Sequence, residues 1–224
     1  MNEHRPEEGP AENAWWRAGL YQVAAEAFLQ EPTDEQLKGQ IASARSALQA
    51  ESGWKLACEK ELLAYLASLD ENDEDLGRRV RSEYAELFVG PRPPLAPLYE
   101  SLYHGRNRRL LSETTREVRE FYERCGLAVV RKNRIPDDHV GYELEFMSKL
   151  YARLAEAHEA NDEDQVQRWR SAQDAFLADH LGAWIPAWLE RMRRTDATHY
   201  LAWAEFVVAF VAHDAEERGL HAHE

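Results

Sequence analysis

PDDHVGYELEFMSKLYARL, residues 136–154, carries apolar side chains at Val140, Leu144, Met147, Tyr151 and Leu154. Steps of four and three residues gather all five on one stripe of an α-helix and would scatter them over both faces of a strand. Asp137, just ahead of the stripe, is the residue type expected at an N-cap.

The same period continues in both directions. Toward the N-terminus, Trp16, Leu20, Val23 and Ala27 mark a first helix, ended by Pro32. Thr33 and Gln36 form a capping box for a second, carried by Leu37, Ile41, Ala44 and Leu48. Leu62, Leu66 and Leu69 mark a third, and Leu76, Val80, Tyr84 and Leu87 a fourth, with DENDED (70–75) as a solvated turn between them. Val118, Phe121, Tyr122 and Cys125 mark a fifth, stopped by Gly126. Toward the C-terminus, Val166, Trp169, Gln173 and Phe176 mark a seventh helix, Trp184, Trp188 and Met192 a short eighth, and Tyr200, Ala204, Val207 and Val211 the last. The most strand-like run, LAVV (127–130), is brief and has no evident partner. The expected fold is all-α, a single compact helical domain of about nine helices over 14–218. Residues 1–13 read as a disordered tail and 219–224 as a frayed one, with His213, His221 and His223 at this end.

With 224 residues, 44% of them hydrophobic, the chain can bury one core. Its formal net charge of −14 repels nucleic acid and anionic lipid, and favours a cationic partner. Cys58 and Cys125 stand apart, with no CxxC motif and no His/Cys cluster, as in a reducing compartment. The first residues lack the apolar stretch of a secretory signal. The longest apolar run, Tyr200 to Ala212, is interrupted by Glu205 and falls short of the ~20 residues a spanning helix needs. A cytoplasmic protein without membrane insertion is expected.

Two stretches break the helical pattern. GPRPPLAPL (90–98) holds Pro91, Pro93, Pro94 and Pro97, which a helix interior does not accept. AVVRKNRIP (128–136) is the second. Polar side chains gather at their ends: Glu100, Ser101, Tyr103 and His104 after the first, and Asp138, His139 and Glu143 after the second. The bland reading makes Tyr103 a loop anchor, Glu100 a cap and Asp138 a helix-terminus anion. His139 and Glu143, four apart, share a helix face and could pair or hold a cation, but they supply only two ligands. No metal and no cofactor is expected. Ser101 lacks a nucleophile-elbow setting, so no catalytic residue is assigned. The alternative is a metal-dependent all-helical enzyme using His139, Glu143 and Asp138. Arg106, Arg108 and Arg109, and Arg131, Lys132 and Arg134, flank the two loops as solvated charge.

These segments resemble a known family. Tyr84 to Pro91 (YAELFVGP) is similar to the segment that ends a core helix in DmsD-like proteins. Glu100-Ser101-Leu102-Tyr103 is similar to an E-(S/P)-x-Y motif, and Pro136 to Met147 to a second motif, with Asp138 and His139 in the matched positions. His180-Leu181 and Trp184 resemble a later H-L…W element. The resemblance is to the TorD/DmsD/NarJ family of molybdoenzyme maturation chaperones, and it runs from about Trp15 to Val211. It implies an all-helical, non-catalytic chaperone. The partners implied are a twin-arginine signal peptide and the catalytic subunit of a molybdenum oxidoreductase, whose export is delayed until its cofactor is inserted. It implies peptide-binding residues at Glu100, Tyr103, Asp138, His139 and Glu143. It also implies a monomer or a domain-swapped dimer, for which Arg131 to Pro136 is the candidate hinge. The two irregular loops are expected to lie together in the fold.

Overall fold

The structure, a computed structural model, describes residues 9–49, 55–104, 108–130 and 135–220. Among them nine α-helices follow one another and no strand forms. They are α1 (Pro10–Leu29), α2 (Asp34–Gln49), α3 (Ala57–Ser68), α4 (Leu76–Tyr84), α5 (Glu113–Arg124), α6 (Val140–Glu159), α7 (Glu163–Phe176), α8 (Gly182–Met192) and α9 (His199–Glu217). α4 runs on into a π-helical turn, Ala85–Val89, and a second π turn, Leu177–Leu181, joins α7 to α8 in one rod.

The centre is the antiparallel pair α1 and α6. Along α1, Ala14, Ala18, Tyr21, Ala25 and Phe28 are all buried, in steps of four and three. The stripe on α6 has the same spacing, so the two meet along their length. Small residues let the axes approach. The Ser148 hydroxyl donates to the Ala18 carbonyl at 2.9 Å, and a Cβ added to Gly141 would lie 2.7 Å from Leu29 Cγ. Phe28, Phe88, Trp188 and Tyr200 form an aromatic cluster at one end of the core. Phe121, Tyr122, Phe146 and Phe176 form another.

Buried charge ties distant helices together. Asp214 on α9 accepts from Arg17 at 2.9 Å, Tyr21 at 2.7 Å and Arg218 at 3.2 Å, and also from Tyr151. Glu83 on α4 reaches the first turn of α9, accepting from the amides of Thr198, His199 and Tyr200 at 3.1, 3.3 and 2.7 Å. A carboxylate suits those free amides.

Several sequence expectations hold in detail. The Thr33–Gln36 capping box closes at 2.7 and 3.2 Å, and Gly126 ends α5 at φ 74°. Others are corrected. α1 starts at Pro10, inside the stretch expected to be a disordered tail, because proline suits a first helical position, where no amide partner is needed. Residues 1–8 lie outside the described residues. Asp137 does not cap α6; His139 does, its Nδ1 accepting from the Gly141 amide at 3.1 Å. Asp137 instead pairs with Arg119 at 2.6 Å. His213 belongs to α9 rather than to a frayed end. His221, His223, Arg106 and residues 131–134 of the candidate hinge lie outside the described residues.

Candidate functional site

Gly90 opens the proline loop at φ 109°, where a Cβ would lie 2.5 Å from the Arg92 carbonyl oxygen. The loop turns back onto the end of the α4 rod: the Ala96 amide donates to the Leu87 carbonyl at 2.9 Å. Arg191 on α8 holds it from outside, donating to the carbonyls of Leu95 and, at 3.2 Å, Pro94.

Leu98 to Glu100 then runs antiparallel to the residues that enter α6. The Val140 amide donates to the Leu98 carbonyl at 2.8 Å, and the Glu100 amide donates to the Asp138 carbonyl at 2.9 Å. Tyr99 and His139 form an isolated β-bridge between these bonds. The Asp138 carboxylate adds a third tie, accepting from the Ser101 amide at 2.9 Å. The chain next makes a 3-10 turn, Glu100–Leu102. The two irregular segments are thus brought together, as the sequence led us to expect.

Behind this tie lies a buried polar cluster. Glu100, on the turn, faces His180 of the π turn, with Nδ1 at 3.2 and 3.3 Å from its two oxygens. Glu143 Oε2 accepts from Trp184 Nε1 at 2.9 Å. Burial, and then the neighbouring Glu100 carboxylate, hold the Glu143 carboxyl well above its ordinary pKa. Glu143 Oε1 meets no donor among the described residues, and its raised pKa favours a proton there that the Glu100 side chain can accept. Burial pushes His139 down to about 3. It is therefore neutral, and since Nδ1 accepts, its proton sits on Nε2. Tyr103 packs on Trp184 with ring centroids 5.3 Å apart.

Of the five residues singled out in the sequence, Glu100, Asp138, His139 and Glu143 come together here, with 0, 0, 4 and 0% of their surface exposed. Their polar atoms face the protein, and the half-buried Tyr103 lies at the margin. Sequence reasoning knew Tyr122 and Trp184 as helix-face residues and His180 and Trp184 as a motif element, but gave none of them a part in this site, and did not single out Arg119. Tyr122 donates to the Asp137 carbonyl at 3.1 Å and Arg119 clamps its carboxylate, so both steady the same strand-like segment. Spacing along the chain carries no trace of these contacts. Among the described residues no three His, Cys, Asp or Glu side chains converge as metal ligands.

Beside the tie, a cleft of about 780 Å³ opens between the end of α1, α5, α6 and the segment after Gly126. Leu29, Val129, Ile135 and Phe146 give it apolar walls, and Glu26 and Glu145 bring carboxylates to it. Tyr142 lines it while its ring lies 5.7 Å from that of His139, which links cleft and motif. Val130, 98% exposed, stands at its edge.

Comparison with known proteins gives a consistent result. Residues 46–190 match the family model described as nitrate reductase delta subunit. The chain is 30% identical over 143 residues to the chaperone protein TorD of Photobacterium profundum, covering 63% of this chain and 65% of that one. It is 25% identical over 210 residues to TorD of Vibrio parahaemolyticus, covering 92% of each. It is also 25% identical over 219 residues to TorD of Vibrio cholerae, covering 96% of this chain and 91% of that one. A solved structure described as a redox enzyme maturation protein from Archaeoglobus fulgidus superposes with a TM-score of 0.53 at 17% identity, over 95% of this chain and 99% of that one. It shares the fold.

Proposed function

The chain belongs to the nitrate reductase delta subunit family, and from that premise we propose that it is a cytoplasmic maturation chaperone. Its client is the catalytic subunit of a molybdenum oxidoreductase, bound through a twin-arginine signal peptide. Binding assists cofactor insertion and delays export. The relatives it matches are chaperones rather than enzymes.

One observation carries this reading: the 780 Å³ cleft has apolar walls, carries two carboxylates, Glu26 and Glu145, against one cation, Lys149, and takes Tyr142, Glu145 and Phe146 of the second motif into its lining. A twin-arginine signal joins cationic residues to an apolar segment, so the cleft offers a counterpart to each part. The net charge of −14 steers such a peptide inward. The buried Glu100, Asp138, His139 and Glu143 are positioning residues in this scheme. They fix the segment leading into α6, and with it Tyr142 and the cleft wall. Tyr103 supports the same surface from the margin.

The test is a calorimetric titration of the full chain with a synthetic twin-arginine signal peptide at low and moderate salt. Glu26→Lys combined with Glu145→Lys should weaken binding about tenfold and flatten its salt dependence. Val130→Asp should weaken it without changing the salt slope. Wild-type affinity in both variants would place the peptide elsewhere.

A further inference from the structure

The segment that leads into α5 carries Arg108, Arg109, Leu110 and Leu111 in succession. All four are exposed, the two leucines to 47 and 73%. The backbone passes through the left-handed region at Arg108, φ 29°, and again at Leu111, φ 56°. Bulky side chains seldom adopt that conformation, and here it leaves both leucines facing solvent. The nearby Arg116 and Arg119 pair with Glu113 and Asp137, whereas Arg108 and Arg109 meet no carboxylate among the described residues. In a chain with a formal net charge of −14, neither packing nor local ion pairing accounts for two free guanidiniums followed by two exposed leucines.

The client cleft has the opposite character. Glu26 and Glu145 outnumber Lys149 in its lining, and Leu29, Val129, Ile135 and Phe146 wall it with apolar surface. The 108–111 loop matches it part for part, guanidinium to carboxylate and leucine to apolar wall. Loop and cleft of one molecule do not meet. The loop precedes Glu113, the first residue of α5, whereas Tyr122 and Leu127 line the cleft at the other end of that helix. At about 1.5 Å per residue, roughly 15 Å of helix lies between them. The loop of a second molecule is under no such constraint.

We propose that the 108–111 loop of one molecule docks in the client cleft of a second copy, so that the protein covers its own binding site until a client peptide displaces the loop. The inference rests on the proposed client reading, since it uses the same cleft, and it names the resting occupant. Each chain carries both loop and cleft, so a two-fold axis lets each loop enter the other's cleft and closes a pair. No helix is exchanged, which distinguishes this contact from a domain swap. Docking covers Leu110, Leu111 and the 98% exposed Val130 at once. Client binding and self-association then compete by mass action.

An exchange of charge between two variants of the full chain tests this. The loop variant is Arg108→Glu with Arg109→Glu, and the cleft variant is Glu26→Lys with Glu145→Lys. Sedimentation velocity is measured for wild type, for each variant and for their equimolar mixture, and circular dichroism checks that each variant keeps its helical signal. Wild type should self-associate, and moderate salt should weaken the association about tenfold. Each variant alone sets like charges against each other and should associate about tenfold more weakly or less still. The mixture should recover to within about threefold of wild type, because native loop meets native cleft and reversed loop meets reversed cleft. A synthetic twin-arginine signal peptide should dissociate the wild-type pair. Wild type that binds this peptide yet stays monomeric up to about 1 mM would overturn self-docking and leave the client reading intact. Association that survives in either variant alone, or a mixture no stronger than its parts, would place the interface elsewhere and overturn the proposal. A mixture that recovers, in a protein whose association the signal peptide does not disturb, would uphold the contact of loop and cleft and overturn the client reading.

Discussion

Glu143 shows how a single side chain depends on its surroundings. Its carboxyl is fully buried, hydrogen-bonded to Trp184 and set beside Glu100, and it is held protonated. Glutamine has nearly the shape of that protonated acid, accepting from Trp184 with its oxygen and donating to Glu100 with its amide. Glu143→Gln should therefore change stability by less than about 1 kcal/mol at neutral pH, whereas Glu143→Ala should cost about 2–4 kcal/mol through the cavity and the orphaned indole. The sign of the pH effect follows from the raised folded pKa. Above the ordinary carboxyl range the unfolded chain has lost this proton and the native protein keeps it, so stability falls as pH rises toward the folded value. Glu143→Gln removes this contribution, and urea unfolding at several pH values checks it. The sequence placed Glu143 on a helix face with His139 but gave no measure of its depth. Its partners lie on the 3-10 turn after the proline loop and on α8, and neither distance is written in a helical period.

At the scale of elements, the decisive contact is the tie between the 3-10 turn and the start of α6. Asp138 makes it from the side chain, through the Ser101 amide. Asp138→Asn keeps an acceptor there and should fold with near-normal stability, while Asp138→Ala leaves a buried amide unpaired and should cost about 1–3 kcal/mol. Limited proteolysis should then cut the 90–104 loop faster in the alanine variant than in the asparagine one. Equal cleavage would show that the backbone bonds alone hold the loop. The nine helices were legible because each buries a stripe with a period near 3.6 residues. Their ends were less so. Asp137 has the right chemistry for a cap, but Arg119 draws its carboxylate away, and the neutral His139 takes the position. The π turns left no sign in the pattern, since five residues are too few to show a change of period.

For the molecule as a whole, pH should act through two buried imidazoles as well as through Glu143. Burial lowers His139 to about 3 and His199 to about 4. Between those values and the ordinary ~6.5 the unfolded chain binds protons that the native protein refuses, so stability is lost as pH falls through this window. Each imidazole contributes about 1.4 kcal/mol per pH unit, and Glu143 works with the opposite sign. Near pH 5–6 the two imidazoles act together and should outweigh the single carboxyl, so acidification should lower stability. Denaturant midpoints from pH 5 to 7.5 test this, and His199→Gln should flatten the slope. What binds the molecule across its length was invisible in the sequence: Arg17 and Asp214 meet from opposite ends of the chain. Spacing rules reach only three or four residues, and such pairs exist only once the helices are assembled.

The π turn between α7 and α8 makes the count of residues in that rod a structural parameter. Such a turn contains one residue more than the α-helical turn it replaces. Deleting the exposed Ala178 would let the rod close into an uninterrupted α-helix. An α turn completes the same rotation with one residue fewer, so α8 would keep its facing relative to α7. Trp184 and Trp188, now 1 and 0% exposed, would stay in the core, and the Glu143 hydrogen bond with them. Ala178→Ser alters the same position without shortening the chain and should leave the fold as it is. Deletion of Ala178 should likewise keep the near-ultraviolet circular dichroism of the packed indoles, and its loss would show that the extra residue is needed for packing. At this point the protein is expected to tolerate a change of length nearly as well as a change of letter.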